Sequence, residues 1–240
     1  MNHKNGNLET RKHAIKRKNY NKYLNLMNKK NIPFKEVIEE VGAYIGDLSL
    51  IRILTFYELY KLIGNIPGHI AEVGVFKGSG SIFFAKLMKI FEPNSTFMVH
   101  GFDWFEGSVS PSKKDSDLVY TGGYKNDYES VKKLIKAQDL SKILKIHKLD
   151  LRKDLKLFFN SNNHLMFKLV FMDAGHYEVM DQSIPLFYKR LSPGGIMIFD
   201  QYSHELAPGE VSAINKHLPN AELQCFPWGW MPNAYFIKKK

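Results

Sequence analysis

The chain has 240 residues, a formal net charge of +10 and 44% hydrophobic residues. That suits one α/β domain with a short N-terminal extension, leaves too little chain for two full domains, and supplies enough apolar residues for a substantial core. No uncharged apolar run approaches the ~18 residues of a membrane span, no apolar h-region follows the basic N-terminus, and the lone cysteine, Cys225, excludes an internal disulfide and a cysteine-rich zinc site, so a cytoplasmic protein is expected.

Residues 1–31 read as a basic arm, partly disordered or helical. Lysines and arginines from Lys4 to Lys30 face Glu9 alone. Such an arm can bind nucleic acid, acidic lipid or a phosphorylated substrate; a solvated tail is the plainer reading. Residues 32–66 read as N-terminal helices. Phe34–Tyr44 and Leu48–Ile63 have helical spacing, with Asp47 or Ser49 as N-caps, and the stretch from Gly64 to Gly68 breaks the pattern.

From residue 67 to 240 strands and helices alternate. Apolar runs at His69–Val75, Thr96–Phe102, Ile143–Leu149, Phe167–Met172 and Gly195–Phe199 read as buried strands. Helical patterns occupy Ser79–Phe91, Tyr128–Gln138 and Val179–Leu191, with a one- or two-turn helix in Arg152–Phe159 and a last helix over Glu205–His217. Glu222–Phe226 and Asn233–Lys238 read as a terminal strand pair. Alternation at this length predicts a mostly parallel, doubly wound sheet, in which ligands bind beyond the carboxyl ends of the strands.

The first strand end runs through Glu72, Gly74, Phe76, Gly78 and Ser79. Glycine permits a tight turn and close backbone approach, and the following helix presents free N–H groups. The spacing fits neither the dinucleotide fingerprint nor a Walker loop, because Phe76 fills the place of the middle glycine and no Gly-Lys-Ser/Thr follows. An ordinary βα turn would also accommodate these glycines. The second strand ends at Asp103, whose carboxylate suits a ribose diol or caps the next turn.

The acid-x-Gly-x-x-x-Gly pattern of Glu72, Gly74 and Gly78 resembles the first motif of the class I methyltransferases. More narrowly, Ile66–Gly78, the run Asp103-Trp104-Phe105-Glu106-Gly107, the run from Met172 to Glu178, and Leu191–Gly195 with Asp200 resemble the TylF/MycF group of sugar O-methyltransferases. The resemblance covers roughly Leu48 to Tyr202. It implies a Rossmann-like class I methyltransferase fold, a mostly parallel doubly wound sheet with an antiparallel C-terminal strand and N-terminal helices, binding S-adenosylmethionine through Glu72, Gly74, Phe76, Gly78, Ser79, Asp103, Trp104, Asp150 and Asp173. Asp150, after the third strand, would face the adenine; a solvent-facing cap is the alternative. The implied reaction is O-methylation of a sugar or sugar-containing metabolite, and homo-oligomers are common in the group.

The group's Asp–Asp pair that helps bind Mg²⁺ is Asp200-Gln201 here, and the second acid of its Asp-Gly-Asp triplet is Gly175. His176-Tyr177 is similar to a neighbouring branch that carries Asp-Gly-x-His-x-Tyr. Asp173, Asp200 and Gln201 remain candidate Mg²⁺ ligands. Asp173 and His176 are candidate catalytic bases; an N-cap for Asp173 and a helix-start or surface ring for His176 are the plain alternatives. Residues 107–124 form a polar loop long enough to be a lid. Its Tyr120 and Tyr124, with Trp228 and Trp230 near the C-terminus, are candidate sugar contacts, against loop tethering and packing of the terminal hairpin. A catechol-like acceptor and a non-catalytic binding protein are the competing functions. No base-methylase motif follows the fourth strand and no RNA-binding module is recognisable, so no specific nucleic-acid partner is expected.

Overall fold

The computed structural model describes residues 11–202, 204 and 206–239, with side chains from residue 18 onward. The start of the basic arm and Glu205 lie outside the described residues. The arm continues as α1 (Arg11–Lys29), followed by α2 (Phe34–Glu39), α3 (Val41–Tyr44) and α4 (Asp47–Leu62). The single helix expected over Phe34–Tyr44 is broken at Glu40, whose backbone leaves the helical region at φ −106° and ψ 41°. Neither piece has a buried residue, so no packing enforces one continuous rod. The N-cap of α4 is Gly46 rather than Asp47 or Ser49. Asp47 sits in the first turn instead, where a carboxylate meets the positive end of the helix dipole.

Downstream lie β1 (His69–Val73), α5 (Ser79–Phe91), β2 (Val99–Asp103), α6 (Tyr128–Ala137), β3 (Leu144–Lys148), α7 (Leu155–Ser161), β4 (Phe167–Met172), α8 (Tyr177–Arg190), β5 (Leu191–Phe199), α9 (Pro208–His217) and β6 (Ala234–Ile237). The strands form one sheet in the order β3-β2-β1-β4-β5-β6, parallel except for β6. Its strands alternate between two cores, as a sheet covered on both faces requires. Ile70, Leu169 and Phe171 pack with Phe56 of α4 and Phe84 of α5. Ala71, Val73, Val170 and Met172 pack with Leu155 of α7, Ile184 and Phe187 of α8 and Ile214 of α9.

The terminal strand pair forms only in part. Gln224 and Tyr235 make an isolated bridge, while β6 pairs antiparallel with β5 from Ile196↔Ile237 to Phe199↔Ala234. The open edge of β5 has a row of backbone groups that need partners, and β6 satisfies them. β5 also starts earlier than expected, at Leu191, with Gly194 at φ +80°.

Three imidazoles cross the sheet from β1 to β3. The Met98 N–H donates to His69 Nδ1 at 3.0 Å, His100 Nε2 lies 3.1 Å from that same atom, and His147 Nε2 lies 3.0 Å from His100 Nδ1. An Nδ1 that accepts from Met98 carries no hydrogen. His100 therefore donates through Nε2, sharing the one lone pair of His69 Nδ1 with Met98, and accepts from His147, a neutral chain. Burial, then the neighbouring cationic forms, lowers His100 to about 3; burial and Lys145 lower His147 to about 4; burial also lowers His69. A depressed histidine contributes stability above its unfolded pKa, 6.5 for His100, and loses it as pH falls below that value. Buried acids with raised pKa, among them Glu72, Asp173 and Glu210, act in the opposite direction over the same range, so the test is differential. Relative to His100→Gln, the wild-type advantage is expected to shrink by about 2 kcal/mol between pH 7 and pH 5, read from urea midpoints. Parallel pH curves for the two proteins would overturn this account.

Candidate active site

The carboxyl ends of β1, β2, β4 and β5 open onto a cavity of about 350 Å³, at the place where strand order reverses from β1-β2 to β4-β5. At the first strand end, Gly74 has φ +95°, and a Cβ there would lie 2.1 Å from the Asp173 carbonyl oxygen. Only glycine lets the ends of β1 and β4 approach this closely. Phe76 follows at φ 50° and lines the cavity with Ser79. Gly78 does not line it; at φ +83° it is the left-handed N-cap of α5, so its part is to set the helix direction.

Two acids anchor this turn. Asp103 Oδ2 accepts the N–H groups of Val75 and Phe76 at 2.8 and 2.9 Å, and Oδ1 accepts that of Phe105 at 2.7 Å. The tip of β2 thereby holds the loop after β1 open, with Asp103 itself lining the cavity. Glu72 is buried and accepts the Ser81 N–H at 2.7 Å and the Ser81 hydroxyl through Oε2. Its other oxygen lies 2.1 Å from where a Gly80 Cβ would be, so Gly80 makes room for it. Burial pushes Glu72 up to about 7 against those hydrogen bonds. Trp104 lines the cavity, its indole N–H donating to Gly107 O at 2.5 Å and its ring lying 4.8 Å from the Arg152 guanidinium.

Asp150 is a correction. It accepts Arg152 Nε at 2.9 Å and Nη2 at 2.7 Å, and it does not line the cavity; Leu151 does. An adjacent arginine able to fork onto the carboxylate turns it away from the pocket.

At the opposite end, Asp173 and Asp200 end β4 and β5, and Arg52 of α4 spans them. Its Nη2 donates to Asp173 Oδ2 at 2.8 Å and its Nη1 to Asp200 Oδ1 at 2.5 Å. Burial and the neighbouring Asp200 raise Asp173 well above the ordinary carboxylate range. His176 is the N-cap of α8, so Asp173 is not. The His176 ring is buried, its Nδ1 has no hydrogen-bond partner among the described residues, and burial lowers its pKa, keeping it neutral near pH 7. The buried Tyr124 hydroxyl likewise has no partner among them; burial and the two carboxylates raise its pKa. Tyr124 and Trp230 line the cavity, but Tyr120 and Trp228 do not. Trp228 stacks on Phe226 at 5.1 Å and so belongs to the packing of the C-terminal turn.

Mg²⁺ does not fit this donor set. The space between the two carboxylates is bridged by a guanidinium, and the Gln201 Oε1 is pressed to 2.5 Å from where a Gly175 Cβ would stand. Among the described residues, no group of three or more His, Cys, Asp or Glu side chains is placed to hold a metal.

Among the lining residues not foreseen from sequence, Arg52 and Asp115 carry charge into the cavity. Arg52 is the only charge in the apolar helical run Leu48–Leu54, a pattern that signals a buried partner. Asp115 pins the loop 107–124 to the start of α8, accepting the Tyr177 N–H at 2.8 Å and the Ser112 N–H at 2.8 Å; nothing in its local sequence marks it.

A glycine turn after β1, acids at the ends of β1, β2 and β4, and an antiparallel last strand define a Rossmann-like methyltransferase, an enzyme that takes its methyl group from S-adenosylmethionine. A family model for a methyltransferase domain matches residues 71–202, and the chain belongs to that family. The fold resembles the calicheamicin methyltransferase CalS11 at a TM-score of 0.82, with 22% identity over 96% of this chain and 94% of that one. An apo structure of CalS11, described as a TDP-rhamnose 3′-O-methyltransferase, gives 0.74 with 23% identity over 96% of both chains. The O-methyltransferase NovP gives 0.60 with 18% identity over 79% of this chain and 80% of that one. No curated protein sequence matches the chain. No described helix is long and apolar enough to cross a membrane.

Proposed function

We propose that the chain is a cytoplasmic, S-adenosylmethionine-dependent O-methyltransferase acting on a hydroxyl of a sugar or sugar-containing metabolite. The observation that carries this is a single cavity joining the Glu72–Asp103–Trp104 end to the Asp173–His176 end. Support for the acceptor class comes from the overlap with CalS11 along nearly the whole of both chains. The wall itself is mixed, with Tyr124 and Trp230 beside Asp115, Asp173 and His176, which suits a ring with an apolar face and hydroxyl edges.

When bound, the cofactor supplies a sulfonium methyl group, already a strong electrophile. Glu72 and the turn of Gly74, Phe76 and Ser79 would hold its methionine end, Asp103 would take the ribose hydroxyls, and Trp104 would serve the adenine. Asp173 accepts the proton of the attacking hydroxyl, with Arg52 keeping the carboxylate aimed. His176, neutral, hydrogen-bonds the acceptor, while Tyr124 and Trp230 cover its ring.

The test is calorimetric titration with S-adenosylhomocysteine, followed by methyl transfer to TDP-rhamnose and a panel of nucleotide sugars and glycosides, with catechols as the contrast. Transfer to a sugar supports the reading; transfer to catechols alone overturns it. In the same titration Asp103→Ala is expected to weaken binding roughly ten- to a hundredfold, the loss of hydrogen bonds to a charged acceptor. Self-association is proposed as well. Phe34, Ile38 and Val41 of α2 and α3 are 78%, 59% and 54% exposed, an apolar surface that a second copy would cover; light scattering reads the mass.

A further inference from the structure

A pair of strand-end carboxylates at a transfer site needs a cation, because two like charges held this close cannot both stay ionised unaided. Here the cation comes from within the chain, and from outside the matched domain: Arg52 lies on α4, before residues 71–202. Its fork meets one oxygen of each acid, at 2.8 and 2.5 Å. Its guanidinium also lies 5.0 Å from the Phe56 ring centre and 5.3 Å from that of Phe171. Those rings belong to the core between α4 and the sheet. The stem is fixed as well, since α4 packs through Leu48, Thr55 and Phe56, one helical turn either side of Arg52. A planar cation held against two aromatic rings and forked onto two carboxylates is a locked fixture, and lysine could not reproduce it.

We infer that Arg52 is the resident cation of this site, occupying the place between Asp173 and Asp200 that a divalent metal would otherwise take, so that the enzyme positions its catalytic carboxylate without a metal ion. Arg52 is thus a positioning residue. Two of its five N–H donors are used on the acids. The guanidinium offsets one of the two carboxylate charges and fills the space between them. Removing Arg52 is expected to unmask the carboxylate pair as a cation site.

This inference rests on reading the cavity as the transfer site, but its test needs no acceptor, so a failed sugar assay leaves it standing. Mn²⁺ is titrated into the full chain and followed by electron paramagnetic resonance, for the wild type, Asp200→Asn, Arg52→Gln, and Arg52→Gln combined with Asp200→Asn. S-adenosylhomocysteine binding serves as the check on folding. The expected result is no specific Mn²⁺ on the wild type, a gain of about a hundredfold or more in affinity in Arg52→Gln, since a repelling charge has left the site, and its loss in the double variant. Specific Mn²⁺ on the wild type that Asp200→Asn abolishes would overturn the proposal. So would a folded Arg52→Gln that gains no Mn²⁺. Should Arg52→Gln not fold, the wild-type titration decides: specific Mn²⁺ lost in Asp200→Asn overturns the proposal, and none bound sustains it.

Discussion

Asp173→Asn is expected to lower kcat by about a thousandfold, within the range general-base removal produces, while S-adenosylhomocysteine affinity changes only a few fold. The amide keeps the shape of the side chain and still accepts from Arg52, but it cannot take a proton. The wild-type carboxylate has its pKa raised by burial and by Asp200, against the pull of Arg52. A base must be ionised to act, so the rate falls as pH drops through that raised pKa. The acid limb of kcat/KM should therefore lie above the ordinary carboxylate value of about 4, and Asp173→Asn should abolish that limb along with the rate. His176→Gln serves as the contrast. It removes a neutral hydrogen-bonding ring, and about a tenfold loss with the limb retained is expected. If Asp173→Asn keeps more than a tenth of wild-type activity, Asp173 is not the base. Acid unfolding must be kept apart from this limb, because the His69–His100–His147 chain loses stability over the same pH range; fluorescence at each pH separates the two.

The gathering of Glu72, Gly74, Phe76 and Asp103 round one end of the cavity was legible in sequence because it is local. Glu72, Gly74 and Phe76 lie within one turn, and the tip of the next strand brings Asp103 to the same place, so spacing along the chain is nearly spacing in the fold. The mostly parallel sheet likewise follows from alternating elements, and the antiparallel β6 from the resemblance to class I methyltransferases. The far end of the cavity was less legible because it is assembled across the chain. Arg52 meets acids 121 and 148 residues away, and a lone arginine in an apolar helix announces a partner without naming it. Asp150 was misplaced for the opposite reason. Its position at a strand end fits the adenine, but a residue two places on captured it, a competition between neighbours that strand-end position does not reveal. Trp228 and Tyr120 show that an aromatic near a cavity in sequence is not an aromatic in its wall.

The two ends of the site meet where Gly74 presses against Asp173, and Gly74→Ala tests that contact. The alanine Cβ would stand 2.1 Å from the Asp173 carbonyl oxygen and 2.8 Å from its carbonyl carbon. Both atoms are backbone, so no side-chain rotation relieves the overlap. The conformation at φ +95° adds strain of its own for any residue with a Cβ. The chain can respond only by parting the tips of β1 and β4, where Asp173 N–H donates to Val73 O at 2.8 Å. That movement shifts the Gly74–Ser79 turn and the Asp173 carboxylate, the proposed donor and base ends of the site, away from each other. A loss of about 3 kcal/mol in stability is expected, roughly 10 °C in Tm for a chain of this size, together with loss of measurable S-adenosylhomocysteine binding. Gly42→Ala is the control, because a Cβ there meets nothing within 4 Å; it should leave both readings unchanged. Transfer requires donor and acceptor aligned to within a fraction of an ångström. Any Gly74→Ala protein that does fold should therefore lose more in kcat than Asp103→Ala, which frees the Val75 and Phe76 N–H groups but leaves Asp173 in place. Wild-type Tm and cofactor affinity in Gly74→Ala would mean that the strand ends are not pressed together, and that the geometry linking the two halves of the cavity is set elsewhere.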